Sequence, residues 1–297
     1  MKRRAERMSC SWTLVFLGAS VLGSSQQSAP TPSQDLSAVL AAVSRDDSML
    51  NGGLGAGRWT GRGTVVVEPL ARLTPSGEWK SLPCGRGHLK TCAAFEHEYL
   101  NKPHTYTVVT AEGHDATIHA APTALSECYS FTGTGSYSGA SIEKSAIAAS
   151  SAHLFVDSPP PQPLDNEEAG PVRKALAVLI PRRLDSTQHL RLFALRLEGQ
   201  DMIVVQRAFA DRASAAGYGV LKFIFAIGAM DGGRFHILHW KQNSEDEEER
   251  VLGTIQLKSG RNYLITTVCD PESQWFRVYG IRDGHLALIY SGGGSSC

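Results

Sequence analysis

Val220-Leu-Lys-Phe-Ile-Phe-Ala-Ile-Gly-Ala-Met-Asp-Gly-Gly-Arg-Phe-His-Ile-Leu-His-Trp240 is the stretch on which the fold turns. Leu221, Phe223, Phe225 and Ile227 put every second side chain on one apolar face, while Lys222 breaks the other. A period of two with one polar face is an antiparallel strand laid against a core on one side. Asp231-Gly232 then supplies tight-turn chemistry, and Phe235 to Trp240 is the returning strand of a hairpin.

Outward from this hairpin the same pattern recurs. After Pro171 the strand candidates are Ala175 to Ile180, Leu190 to Leu197, Met202 to Arg207, Val220 to Ile227, Phe235 to Trp240, Val251 to Leu257, Tyr263 to Cys269, Trp275 to Tyr279 and Leu286 to Tyr290. Ser259-Gly260 and Asp283-Gly284 repeat the turn signal. The chain is therefore expected to be mainly β, with residues 171–297 an all-β part of antiparallel meander sheets in a sandwich, an open barrel or a propeller-like arrangement.

Residues 59–157 read as a smaller α+β part. Its strands are Thr64 to Pro69, Tyr106 to Thr110 and Thr117 to Ala120, with a weakly specified strand over Ser130 to Ser141. Its helix is Lys90 to Asn101, where Cys92, Phe95 and Tyr99 share a face and Pro103 ends the element. Residues 28–58, rich in Ser, Gln, Pro and Gly, read as a flexible linker with a short helix at Leu36 to Val43. Residues 158–170, with Ser158-Pro-Pro-Pro-Gln-Pro163 followed by Asp165, Glu167 and Glu168, read as a second linker of stiff polyproline and charge.

The 297 residues suffice for one large domain or two ordinary ones. With 29 basic and 29 acidic residues the chain has no field that selects nucleic acid. Lys2, Arg3, Arg4 and Arg7 precede an apolar run from Trp12 to Leu22, and small residues follow at Gly23 to Ser25. That order is a secretory signal peptide over residues 1–27, which places the protein in the periplasm or outside the cell. The run is shorter than the ~20 residues of a membrane-spanning helix, so no span is expected after cleavage.

Export brings the chain into an oxidising compartment, where cysteines pair. Beyond Cys10 in the signal peptide there are five: Cys84, Cys92, Cys128, Cys269 and Cys297. Cys269 and Cys297 lie together in the last third and are expected to join, which would fasten the Gly-rich end of the chain. One further pair is expected among Cys84, Cys92 and Cys128. The spacing Cys84, His88, Cys92, with His97 beyond, also has the look of a zinc site, but the missing Cys-x-x-Cys and the nearby Cys128 favour the disulfide.

Catalytic spacings are incomplete. His97-Glu98-Tyr99-Leu100-Asn101 carries Asn101 where a zincin needs its second His. Gly135-Ser-Tyr-Ser-Gly139 puts Tyr137 in the nucleophile position, which leaves Ser136 and Ser138 as polar strand residues. Gly55-Ala-Gly57 and Gly133-Thr-Gly135 lack the third Gly of a phosphate cradle. His236 and His239 point to opposite faces of one strand, and the acids Glu245 to Glu249 read as a solvated hairpin tip. Glu96, Glu127 and Asp157 are carboxylates without a spacing that pairs them for glycoside hydrolysis. Trp59, Trp79, Trp240 and Trp275 are read as core or hairpin-cap packing before sugar platforms. No metal and no cofactor is expected.

Phe225-Ala-Ile-Gly-Ala-Met-Asp-Gly-Gly-Arg-Phe-His-Ile-Leu is echoed about 51 residues on, near the size of one propeller blade, by Phe276-Arg-Val-Tyr-Gly-Ile-Arg-Asp-Gly-His-Leu-Ala-Leu-Ile. The last ~80 residues resemble the terminal hairpins of VCBS and FG-GAP propeller repeats, in which an Asp-Gly turn separates two apolar strands. The calcium loop of those repeats, alternating Asp before a Gly, is absent, so the resemblance implies an extracellular binding surface and no site residue. The sequence thus points to an exported, non-catalytic β-rich protein that binds a glycan, an envelope component or a protein partner. The alternative is a secreted hydrolase with a site assembled from distant residues.

Overall fold

The computed structural model describes residues 38–44, 62–84, 89–110, 116–125, 131–139, 145–157, 159–180, 190–210, 221–243, 247–269 and 273–296. The amino-terminal part runs β1 (Ala38–Ser44), β2 (Arg62–Leu73), β3 (Trp79–Ser81), α1 (Leu89–Phe95), a π-helical turn (Glu96–Leu100), β4 (His104–Val108), β5 (Thr117–Ala120), β6 (Ala124–Leu125), β7 (Phe131–Ser138) and β8 (Ser145–Ala149). Six of these strands close on themselves in the order β2, β1, β8, β4, β5, β7 and back to β2, all antiparallel. Closure leaves these six with no open edge. The barrel is filled by Val39, Ala41, Val43, Val65, Val67, Tyr106, Ile118, Tyr137 and their buried neighbours, and Phe95 and Tyr99 pack against that filling from the helical segment.

The expected helix at Leu36 to Val43 is corrected here: Ala38–Ser44 is the strand β1. Its alternate residues serve two cores. Val39, Ala41 and Val43 enter the barrel, whereas Ala38, Leu40 and Ala42 face outward into a second apolar layer. A strand buried on both faces has no polar alternation, and the run of small apolar residues then passes for helix.

The remaining elements are β9 (Phe155–Val156), β10 (Gln162–Pro163), α2 (Asn166–Ala177), β11 (Arg191–Leu197), β12 (Gln200–Ala210), β13 (Leu221–Asp231), β14 (Arg234–Asn243), β15 (Glu248–Leu257), β16 (Asn262–Cys269), β17 (Ser273–Arg282) and β18 (His285–Ser296). They form two five-stranded antiparallel sheets, β10-β11-β12-β13-β14 and β18-β17-β16-β15-β9. Of the three arrangements the sequence allowed, this is the sandwich: Leu195, Leu197, Met202, Val204, Phe225 and Ile227 of one sheet pack on Leu264 and Tyr279 of the other.

Layer order follows from which core each face joins. The β15–β18 sheet turns Ile255, Tyr263, Ile265, Phe276 and Val278 toward the outside of the barrel. The β10–β14 sheet turns Ile203, Val205, Ile224 and Ala226 toward Ala169, Val172 and Leu176 of α2. Barrel, sheet, sheet and helix therefore stack in that order. The two parts expected on either side of residues 158–170 share the core between barrel and β15–β18.

Two further expectations are corrected by α2. Residues 158–170 are not a bare linker, because they carry β10 and the first turn of this helix. Ala175 to Ile180 is not a strand, because Ala175 to Ala177 complete the helix and Ile180 packs beneath it. The Asp165 side chain accepts from the backbone N–H of Glu167 at 2.9 Å and of Glu168 at 2.8 Å, an N-cap strengthened by acids at the positive end of the helix. Pro171 lies within the element and gives the sequence its appearance of a break.

The sequence echo corresponds to two hairpins with one register. Along β13–β14 the pairing slips between Ile227, opposite His239, and Gly228, opposite Ile237. Along β17–β18 it slips between Val278, opposite Tyr290, and Tyr279, opposite Leu288, the same positions in the two copies. Their tips are two-residue turns, Gly232-Gly233 with φ 54° and 75°, and Asp283-Gly284 with φ 53° and 76°. Left-handed conformations at both central residues match the twist of the flanking strands.

Candidate functional site

Two loci at opposite ends of the sandwich bring polar side chains together. The first is a groove of about 580 Å³ lined by Arg196, Glu198, Gln256, Ser259, Arg261 and Asn262 together with Pro159 and two glycines. Glu198 and Gly199 form the β11–β12 turn with φ 46° and 84°, closed by the Leu197–Gln200 pair. The β15–β16 loop is closed by Leu257 N–H to Arg261 O at 2.7 Å and Gly260 N–H to Leu257 O at 2.9 Å.

Asn262 fastens the two turns to each other. Its side-chain N–H donates to Arg196 O at 2.7 Å, and its side-chain oxygen accepts from Glu198 N–H. The third wall is held by Thr254, whose hydroxyl donates to Pro159 O at 3.0 Å. Arg261 packs against the turn between β2 and β3: a Cβ on Gly77 would lie 2.8 Å from Arg261 Cδ, and Tyr263 OH donates to Gly77 O at 2.8 Å. Arg196 lies along its own hairpin, with Nε donating to Gly199 O at 3.2 Å and 3.5 Å from Asp201. Two guanidinium groups and one carboxylate thus line a concavity of ligand size, on turns fixed by hydrogen bonds.

The second locus lies between the sheets. Glu249 is 3% exposed on β15. Its Oε1 accepts from Thr266 at 2.7 Å and from Tyr279 OH at 2.8 Å, and its Oε2 accepts from Arg277 at 2.6 Å. Arg277 also donates to Glu247 at 3.1 Å, and Glu247 is paired with Lys241 of β14 in the facing sheet. The guanidinium lies over the Trp275 ring at 5.7 Å. Gln206 of β12 accepts the Val251 N–H at 2.9 Å beside the β15 bulge, a second polar tie across the sheets.

Burial and the Glu249 charge raise the Tyr279 pKa above its ordinary range, so the phenol stays protonated and donating. His239 stands beside this cluster, its ring 5.3 Å from Tyr279 and 6.1 Å from Phe225. Its Nε2 is buried without a hydrogen-bond partner among the described residues. Burial lowers its pKa, Glu249 opposes that, and Arg277 and Lys241 reinforce it. Glu249 is saturated by donors from β16 and β17, and the Glu247 pair carries the network across to β14. This is a clamp that sets how the two sheets meet.

The acid run is accordingly corrected. Glu247 and Glu249, two apart, both reach Arg277, and Glu248 pairs with Arg250. Glu245 and Asp246 lie outside the described residues. The expectation that His236 and His239 point to opposite faces is corrected: the slip at Leu238 sets His236 opposite Ala229 and His239 opposite Ile227, on one face, with His236 exposed and His239 against Tyr279 and Phe225. His97 and Glu98 are exposed on the π-helical turn, and Ser136 and Ser138 are exposed on β7. Trp79 packs edge-on to Tyr263 at 5.6 Å and stacks on Tyr290 at 5.8 Å, and Trp240 packs against the α2 core. Asp157 is exposed just beyond β9, and Glu96 contacts Cys92. Glu127, Trp59, Gly55 to Gly57 and His88 fall outside the described residues.

Among the cysteines, Cys84 and Cys92 form a disulfide with Cα atoms 4.4 Å apart, a pair drawn from the expected three. Cys128 and Cys297 lie outside the described residues. Cys269 ends β16 opposite Gln274, which in turn lies opposite Ser295 of β18.

The groove is not marked in the sequence, and the acids of the second locus read there as a solvated hairpin tip. Ser259-Gly260 announces a turn, but nothing in it says that the Glu198-Gly199 turn lies beside it. Comparison with known protein families, curated proteins and solved structures returns no match to this chain.

Proposed function

We propose that this chain is an exported binding protein that holds a carboxylate-bearing glycan segment in the groove between the Glu198-Gly199 and Ser259-Gly260 turns. The observation that carries the reading is the placement of Arg196, on β11 just before one turn, and Arg261, on the other, with the two turns clasped together by Asn262. A guanidinium meets a carboxylate with two parallel hydrogen bonds, and Gln256 and Ser259 offer further donors and acceptors to sugar hydroxyls. Turns already held in place lose little freedom on binding, so more of the contact energy remains as affinity. The basic and apolar order at the amino terminus supports export.

Calorimetry with an oligogalacturonate and an uncharged oligoglucan as probes tests this. The acidic probe is expected to bind more tightly than the neutral one. The Arg196→Gln, Arg261→Gln double variant is expected to lose about tenfold or more in affinity, the scale of one or two charge-assisted hydrogen bonds. Failure of the acidic probe to bind, or unchanged affinity in the double variant, overturns the reading.

A further inference from the structure

We propose that the Cys84–Cys92 disulfide is one of two states of a divalent-metal site completed by Glu96, the metal being held when the cysteines are reduced. Cys84 precedes α1, Cys92 lies on α1, and Glu96 follows it by four residues on the same side of the helix. One ligand atom from each of the three lies within 4.8 Å of the others, and all three residues are half-buried. Thr91 donates to Pro83 O at 3.4 Å, which keeps the segment carrying Cys84 against the helix.

Two features set this group apart from a plain structural disulfide. Glu96 Oε1 is 3.4 Å from Cys92 Sγ, yet a disulfide sulfur has no proton to donate. A carboxylate so placed gains no hydrogen bond there, whereas beside two soft thiolates it is a third, harder donor to one borderline ion. The helix also changes form at that residue. Glu96–Leu100 is a π-helical turn, with Asn101 N–H bonded to Glu96 O at 2.8 Å, and such turns concentrate at functional sites.

The chemistry balances with a dithiol as reductant. Two electrons and two protons pass from the dithiol to the protein, the Sγ–Sγ bond breaks, and the dithiol leaves as its own disulfide. A zinc-class ion then takes two thiolates and the Glu96 carboxylate, and the two thiol protons pass to solvent. Three protein ligands leave the fourth tetrahedral position to water. The proposal is independent of the groove and of its ligand.

Cobalt(II) is the probe. It is added to the full chain reduced by a phosphine, after the phosphine has been removed without air, and to the oxidised chain in parallel. The reduced chain is expected to take up one cobalt with a cobalt–thiolate charge-transfer band, and the oxidised chain to give none. Cys84→Ser and Cys92→Ser are each expected to lose the band. Glu96→Gln, which leaves both cysteines and the fold in place, is expected to bind about tenfold or more weakly, the scale of a perturbed ligand set. Absence of the band in the reduced chain overturns the site. A band that survives Cys84→Ser does so too, and so does unchanged affinity in Glu96→Gln.

Discussion

Replacing Glu68 by glutamine should remove a stability loss that sets in as pH rises through the weakly acidic range. Glu68 lies on β2 opposite Ala42, 5% exposed, and its Oε1 has no hydrogen-bond partner among the described residues. Burial alone pushes its pKa from 4.5 up to about 7. Below 4.5 the carboxyl is protonated in folded and unfolded chain alike, and it contributes no pH dependence. Between 4.5 and about 7 the unfolded chain releases the proton first, so stability falls as pH rises. Above about 7 both states are ionised and the loss is complete. At about 1.4 kcal/mol per pH unit the full loss is about 3 kcal/mol. Glu68→Gln keeps the shape of the neutral acid and never ionises. Urea unfolding of both chains at intervals from pH 4 to pH 8 should give curves that meet at the acid end and diverge by up to ~3 kcal/mol at the other. Because every other titrating group is common to both, the difference isolates Glu68. A difference that stays constant with pH refutes the assignment.

Other consequences rest on the inter-sheet clamp and on the export proposed above. Arg277→Met leaves Glu249 buried without its counter-charge and should destabilise the protein by about 3 to 5 kcal/mol in urea, with Glu249→Gln in the same chain recovering more than half; a loss below ~1 kcal/mol speaks against a clamp. The His239 ring should titrate below 6.5 in an NMR pH series, since burial lowers its pKa. Neutral His239 therefore favours folding above its unfolded pKa, and that contribution is lost as pH falls; a midpoint at or above 6.5 contradicts the buried placement. Amino-terminal sequencing of exported protein should start near Gly23 to Gln27, and a mature chain beginning at Met1 removes the export reading.

What could be read from the chain depended on whether a residue's role is local. The β13–β14 and β17–β18 hairpins were legible because alternation and turn chemistry both lie within them, and Asp283-Gly284 adopts the left-handed pair its sequence announces. β1 was not, since Leu40 and Ala41 answer to different cores and only the closed barrel with a sheet behind it makes both sides dry. In α2 the helical signal was present in Asp165, Glu167 and Glu168 and in the spacing of Ala169, Val172 and Leu176, but Pro171 and the preceding prolines outweighed it. Glu249 passed for a solvated acid because its partners Thr266, Arg277 and Tyr279 come from two later strands. The groove shares that property. Asn262 clasps Arg196 and Glu198 from 66 and 64 residues away, a distance at which sequence pattern carries no signal.

The most direct test of the binding site is an amide NMR titration of the full chain with oligogalacturonate. Saturable shifts are expected at Glu198, Gly199, Ser259, Gly260, Arg261 and Asn262, the backbone of the two clasped turns. Shifts that saturate elsewhere while these six stay fixed, or no saturable shifts at all, would contradict the account.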